Sequence, residues 1–235
     1  MERETTGSGA TSVVVESTGR FAYVANGGIY AYSINQATGR LAAIAAPSAW
    51  ASQIAVEPSG KFLYAMDYVR PTTAFAIGSD GSLAEVGQYS AMGPLCIAAS
   101  GRLVLYTSSY RNGDWMISYA IDGDGGLGYI SQAHPGGLAL AIHPSVNFAY
   151  ATHSAGSVSR YTIDPSGVVE YVDDVDAGDT PSSIAIESSG SHAYVTNAGS
   201  NSVSQYQIDQ GTGALTFVGD VASGTRPSCV TTISR

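Results

Sequence analysis

Apolar and polar positions along this chain alternate in short bursts, each closed by Gly, Asp, Asn or Ser. Period-two alternation places every second side chain on one face of a strand. The bursts recur in a fixed order. A strand of small apolar residues comes first ("SVVVE", "QIAVE", "CIAAS", "LALAIH", "SIAIE"), with Val14, Ala55, Ala98, Ala141 and Ala185 in one register. An apolar-Tyr strand follows ("GRFAYVAN", "GKFLYAMD", "GRLVLYTS", "VNFAYATH", "GSHAYVTN"). Its anchors Tyr23, Tyr64, Tyr106, Tyr150 and Tyr194 are 41, 42, 44 and 44 residues apart. An aromatic-x-Ile strand is third: Tyr32–Ile34, Phe75–Ile77, Tyr119–Ile121, Tyr161–Ile163 and Tyr206–Ile208. A fourth run opens at Leu41, Leu83, Leu127, Val168 and Leu215. Helical i, i+3, i+4 stripes do not accompany these segments.

Four short strands, here a to d, recurring at this period are the signature of a β-propeller blade. The expected fold is all-β, a single propeller domain over 1–235. Its units run approximately 12–46, 52–88, 95–131, 138–173 and 182–219. A further segment, 227–233 ("RPSCVTTISR"), repeats the start of a unit, with Pro227 aligned to Pro181 and Val230 to Ile184. A closed five-bladed ring is favoured, because unpaired blade edges promote association. The alternative is an incomplete seven-bladed ring, completed by a partner chain or left open.

"AYVTNAGSNSVSQYQIDQGTGAL" and "AYVANGGIYAYSINQATGRL" resemble the YVTN-type repeats of the lactonase-family β-propellers, the group that includes bacterial 6-phosphogluconolactonase-like proteins. The resemblance extends from about Ser12 to Ile233. It implies a propeller, usually of seven blades, and a lactone hydrolase among the candidate activities. Enzymatic members carry Glu directly after the strand-b Asn, with His and Arg on the same face. The matching positions here are Gly27, Tyr68, Tyr110, Ser154 and Ala198, and none is acidic. His153 stands one place earlier, where the family has Asn.

Composition narrows the partners. Charged residues make up 12% of the chain and the net charge is −9, a sign that repels phosphate backbones and anionic headgroups. No nucleic acid or membrane is therefore expected as partner, and no apolar run reaches the length of a bilayer span. "MERETTGSGATS" lacks a signal-peptide pattern, so the compartment stays open between cytoplasm and a secreted or periplasmic form whose leader has been removed. Cys96 and Cys229 fall at equivalent repeat positions and read as free thiols. No nucleotide or cofactor fingerprint occurs, and no cofactor or metal is expected. "DGDGG" (122–126) reads as a turn, since the later ligands of a calcium loop are missing.

Loops on a rigid scaffold tend to carry function. By analogy with other propellers, the b–c and d–a loops form the expected ligand face. "MDYVRPTT" and "SSYRNGDWM" depart most from the repeat. The candidate contacts are Asp67, Tyr68, Asp114 and Trp115 as ligand-binding residues, with His134, His153, Arg70 and Arg111 as candidate catalytic residues. His143 and His192 fall near a–b turns and read as structural. The acidic run 171–179 reads as a solvated edge.

Three functional readings follow. The favoured one is an interaction module presenting a polar rim to a small polar molecule or a protein, monomeric if the ring closes and dimeric if it does not. The second is a lactone hydrolase, with His134 or His153 as general base and Arg70 or Arg111 holding the oxyanion. The third is a trimmed or engineered propeller with no ligand of its own.

Overall fold

Each sequence repeat folds into one four-stranded sheet whose consecutive strands lie side by side. The computed structural model describes residues 9–67, 70–89, 94–110 and 113–232; for 94–99, 108–110 and 113 it describes the backbone alone. The first blade comprises β1 (Ser12–Val15), β2 (Phe21–Ala25), β3 (Ile29–Ile34) and β4 (Leu41–Ile44). The second comprises β5 (Gln53–Val56), β6 (Phe62–Asp67), β7 (Arg70–Ile77) and β8 (Leu83–Tyr89). The third is β9 (Pro94–Ala99), β10 (Leu103–Tyr110), β11 (Gly113–Ile121) and β12 (Leu127–Ala133). The fourth is β13 (Leu140–Ile142), β14 (Phe148–His153), β15 (Ser157–Ile163) and β16 (Val169–Asp176). The fifth is β17 (Pro181–Ile186), β18 (His192–Asn197), β19 (Ser202–Ile208) and β20 (Leu215–Ala222). The architecture is all-β and built of propeller blades, as the repeat predicts.

The chain forms two compact units, one of residues 1–104 with 119–129, the other of 105–118 with 130–235. In the first unit, Phe21, Tyr23 and Ala31 of the first blade pack with Ile54, Leu63 and Phe75 of the second. In the second unit, Phe148, Tyr150 and Val158 pack with Ile184, Val195 and Tyr206.

The anchor tyrosines tie neighbouring blades together. Tyr23 donates its hydroxyl to the carbonyl of Gly81 (3.0 Å), Tyr64 to Gly125 (3.2 Å) and Tyr150 to Gly213 (2.7 Å). Each acceptor sits in the c–d turn of the next blade, so a fully buried phenol finds its partner without breaking a strand ladder. The glycine is required on two counts at Gly81 and Gly213. Their φ values are +83° and +71°, and an added Cβ would stand 2.4 Å from the Phe21 ring and 2.5 Å from that of Phe148. Phe-x-Tyr on strand b and Gly in the next turn are thus one packing unit.

The a–b turns are closed by the side chain that follows strand a. Glu16 accepts from the Thr18 hydroxyl (2.6 Å) and from the backbone N–H groups of Thr18, Arg20 and Phe21. Glu57 repeats this with Ser59, Lys61 and Phe62. His143 takes the same position in the fourth blade. Its Nδ1 accepts from the Ser145 N–H (3.1 Å), which leaves Nε2 to donate to the Gly190 carbonyl (3.0 Å). His192 pairs with Glu187 at 2.7 Å. Both histidines therefore serve the turns.

The C-terminal segment continues the repeat. Ser182 donates to the Pro227 carbonyl (2.8 Å), the Val230 N–H donates to Ser183 Oγ (3.3 Å), and Thr232 donates to the Ile186 carbonyl (2.8 Å). In the first unit, the Ile54 N–H donates to Ser12 Oγ (3.4 Å) at the corresponding positions. Residues 227–232 thus lie on β17 as β5 lies on β1.

Candidate functional site

The site is assembled on the fourth blade, where β14 ends, β15 begins and β16 returns beside it. Antiparallel pairing sets Ser159 opposite Ala151 on one side and Asp174 on the other. His153 is the last residue of β14, and its ring reaches diagonally so that Nε2 lies 2.7 Å from Ser159 Oγ. The Ser159 hydroxyl donates to Asp174 Oδ1, and Tyr171 donates to Oδ2 of the same carboxylate (3.1 Å). Ser159 is fully buried, His153 half-buried and Asp174 exposed. The result is a continuous chain from a carboxylate at the surface, through a buried hydroxyl, to an imidazole.

The fifth blade holds the same arrangement without the imidazole. Asn197 donates through Nδ2 to Ser204 Oγ (2.8 Å), and Ser204 donates to Asp220 Oδ1 (2.7 Å). The strand register therefore builds the relay in both blades. The fourth blade places a titratable group at its end.

Asp114, Trp115 and His134 belong to the same unit as His153. Asp114 and Trp115 are the second and third residues of β11, and the loop after β12 is drawn against them by the Gly136 N–H, which donates to the Asp114 carbonyl (2.6 Å). The Tyr161 hydroxyl, from the aromatic-x-Ile signature of β15, donates to the Pro135 carbonyl and lies 3.3 Å from that of Gly136. This loop carries His134, whose ring meets Trp115 edge-on at 5.4 Å between centroids. Tyr206 acts likewise in the fifth blade, donating to the Asp176 carbonyl (2.7 Å). Burial holds the His153 imidazole below the ordinary value of 6.5, and His134 adds to the fall; Asp174 and Asp114 pull the other way. Desolvation prevails, so the neutral base is the favoured form at neutral pH.

Asp67 and Arg70 lie in the first unit, where they face each other across β6 and β7. The Arg70 guanidinium sits over the exposed Trp50 ring, 3.9 Å from its centroid. An open groove of about 340 Å³ runs past Gly27, Gly28, Tyr30, Ala46, Pro47 and Trp50. Tyr68 and Arg111 lie outside the described residues. Asp122 accepts from the backbone N–H groups of Asp124 and Gly126 (2.9 and 2.7 Å), so "DGDGG" is a turn closed by its own aspartate. Cys229 is free and exposed.

Two residues of the relay, Ser159 and Asp174, escape a reading of the sequence. Asp174 falls within the acidic run that reads as a solvated edge. In that run both Asp173 carboxylate oxygens accept from one edge of the Arg160 guanidinium, Nε and Nη2 (2.8 and 2.7 Å), while Asp174 turns to Ser159. The available signal is the serine two residues before the aromatic-x-Ile, present at Ser159 and Ser204 alone among the five repeats.

Residues 130–232 match the family described as "Lactonase, 7-bladed beta-propeller". Over this segment the chain is similar to lactonase-family propeller sequence. The segment contains the whole of the fourth and fifth blades and hence His153, Ser159 and Asp174. No curated protein matches the chain. Among solved structures, the chain is similar to a functionally unknown protein from Desulfotomaculum acetoxidans, with TM-score 0.80 and 18% identity over 94% of this chain and 72% of that one. It is also similar to the periplasmic gluconolactonase PpgL of Pseudomonas aeruginosa, with TM-score 0.79 and 18% identity over 96% of this chain and 76% of the other. Hydrazine synthase from Kuenenia stuttgartiensis shares the fold at TM-score 0.69 and 14% identity, covering 94% and 77%. At these identities the likeness establishes the propeller fold, which serves unrelated chemistries.

Proposed function

We propose that the fourth-blade site hydrolyses small cyclic esters, with His153 as general base. The observation that carries this reading is the half-buried imidazole whose Nε2 is engaged by Ser159, while Nδ1 has no hydrogen-bond partner among the described residues. A neutral imidazole with one free ring nitrogen can take a proton from water. That water attacks the lactone carbonyl, the ring C–O bond breaks, and the proton returns to the departing alkoxide to give the hydroxy acid. Asp114, Trp115 and His134 line the same unit, with Trp115 offering an apolar face and His134 and Asp114 polar groups to a hydroxylated ring. The lactonase match over this segment supports the same choice of substrate class.

The test uses His153→Asn, because the fifth blade already holds Asn at the equivalent position. Hydrolysis of a panel of five- and six-membered sugar lactones is followed by proton release. We expect turnover in the parent chain and a loss of about 10²–10⁴-fold in the variant, with melting preserved. Equal rates in the two proteins would refute His153 as the base.

A second reading, favoured by the Arg70–Trp50 stack beside the open groove, is that the first unit binds a small polar ligand without reacting with it. A guanidinium over an indole offers both charge and a flat apolar surface. Binding of sugar acids that is lost in Arg70→Ala while lactone turnover is absent would select this reading.

A further inference from the structure

We infer that Ser159 and Asp174 are positioning residues that hold His153 in a single tautomer, with Nε2 carrying the proton and Nδ1 presented as the base. The inference rests on the hydrolytic reading above for its consequence, and on the hydrogen-bond chain for its existence.

The argument is one of counting donors. A serine hydroxyl has one proton to give. The Ser159 proton goes to Asp174 Oδ1, since an ionised carboxylate can only accept. The short contact between Ser159 Oγ and His153 Nε2 (2.7 Å) must then be supplied with a proton from the imidazole. Nε2 is therefore the N–H, and the basic lone pair falls on Nδ1. Tyr171, donating to Asp174 Oδ2 at 3.1 Å, orients the carboxylate from its other side.

The fifth blade supports this wiring independently. There the group at the end of strand b is the Asn197 amide, which through Nδ2 can only donate, and it donates to Ser204 while Ser204 donates to Asp220. The direction of the chain is thus the same in both blades: strand-end side chain to serine, serine to aspartate. Substituting His for Asn on this scaffold converts an inert donor into a base whose free nitrogen is selected by the strand behind it. The other charged groups felt by the ring are Asp114 and His134, which come from β11 and the loop after β12. Neither makes the contact that chooses between the two nitrogens.

Nitrogen-15 NMR of the full chain labelled at histidine reads the tautomer directly. The parent protein is expected to show His153 protonated at Nε2. Ser159→Ala removes the acceptor and should shift the population toward the Nδ1–H form. Asp174→Asn keeps the exposed strand intact but removes a negative charge, so the His153 titration should move down by about half a unit or more. Where lactone turnover is measurable, both variants should lose about tenfold or more in kcat with KM nearly unchanged. An unchanged tautomer and titration in both variants would overturn the positioning role, even if the parent hydrolyses lactones through His153. A shifted tautomer in a protein that hydrolyses no lactone would sustain the relay and sink the hydrolytic reading, so the two can fail separately.

Discussion

His153 and Asn197 occupy the same place in successive blades, each reaching the serine that lies on the neighbouring strand and is itself bonded to an aspartate. Because the surrounding register is shared, asparagine should be accepted at 153 with little loss of stability. Thermal melting of His153→Asn is expected within about 1 kcal/mol of the parent. A collapse of the fold in this variant would mean that the imidazole itself holds the blade together.

The pH dependence of the reaction follows from the environment of His153. Burial lowers its titration below 6.5, so the base form persists into weakly acidic solution. The acid limb of kcat/KM should therefore fall below the ordinary imidazole value, and in Asp174→Asn it should fall lower still. An acid limb above 6.5 would contradict desolvation as the prevailing effect.

Acid should also loosen the a–b turns. Burial alone would raise the Glu16 and Glu57 carboxyls, yet the hydroxyl and backbone N–H groups clustered on each hold them below the ordinary 4.5. A group depressed in the folded state contributes stability above its unfolded value, and that stability is lost as pH falls from about 4.5 through the folded value. Glu57→Gln should cost about 1–3 kcal/mol at pH 7, and this difference should shrink as pH drops below 4. Denaturant melts at pH 7 and pH 3 give both numbers.

Gly213 is a sharper structural test. Alanine there must adopt φ near +71° and place its Cβ about 2.5 Å from the Phe148 ring. We expect Gly213→Ala to destabilise by roughly 2–4 kcal/mol. The double variant Gly213→Ala, Phe148→Leu should recover part of this, which separates the steric cost from the backbone strain.

The segment 227–232 contributes three described hydrogen bonds to β17. At about 1 kcal/mol each, its removal after Gly224 should lower the melting temperature by several degrees. Sedimentation of both forms at micromolar concentration tests our proposal that the chain is monomeric. Self-association of the shortened form alone would show that the segment covers a blade face.

Much of the fold is legible along the chain because its causes are local. Alternation, turn residues and a period set by one blade specify the described strands in order, and Phe-x-Tyr with its partner glycine recurs visibly because each repeat meets the next in the same way. His134, His153, Asp114 and Trp115 could be named from their place at strand ends and loops. The relay behind His153 could not. In β15 and β16 the register shifts between Arg160 and Tyr161: Tyr161 faces Tyr171, but Arg160 faces Asp173, so Val172 is the extra residue. That single bulge sets Asp174 opposite Ser159 and frees Asp173 to meet Arg160. Without it Arg160 would face Val172, Asp173 would face Ser159 and Asp174 would face Val158. The sequence determined the strands, their order and the residues at the loops. Only the tertiary structure decided which carboxylate in an acidic run supports the histidine, because a bulge is a choice of pairing between strands and leaves no mark in either strand alone.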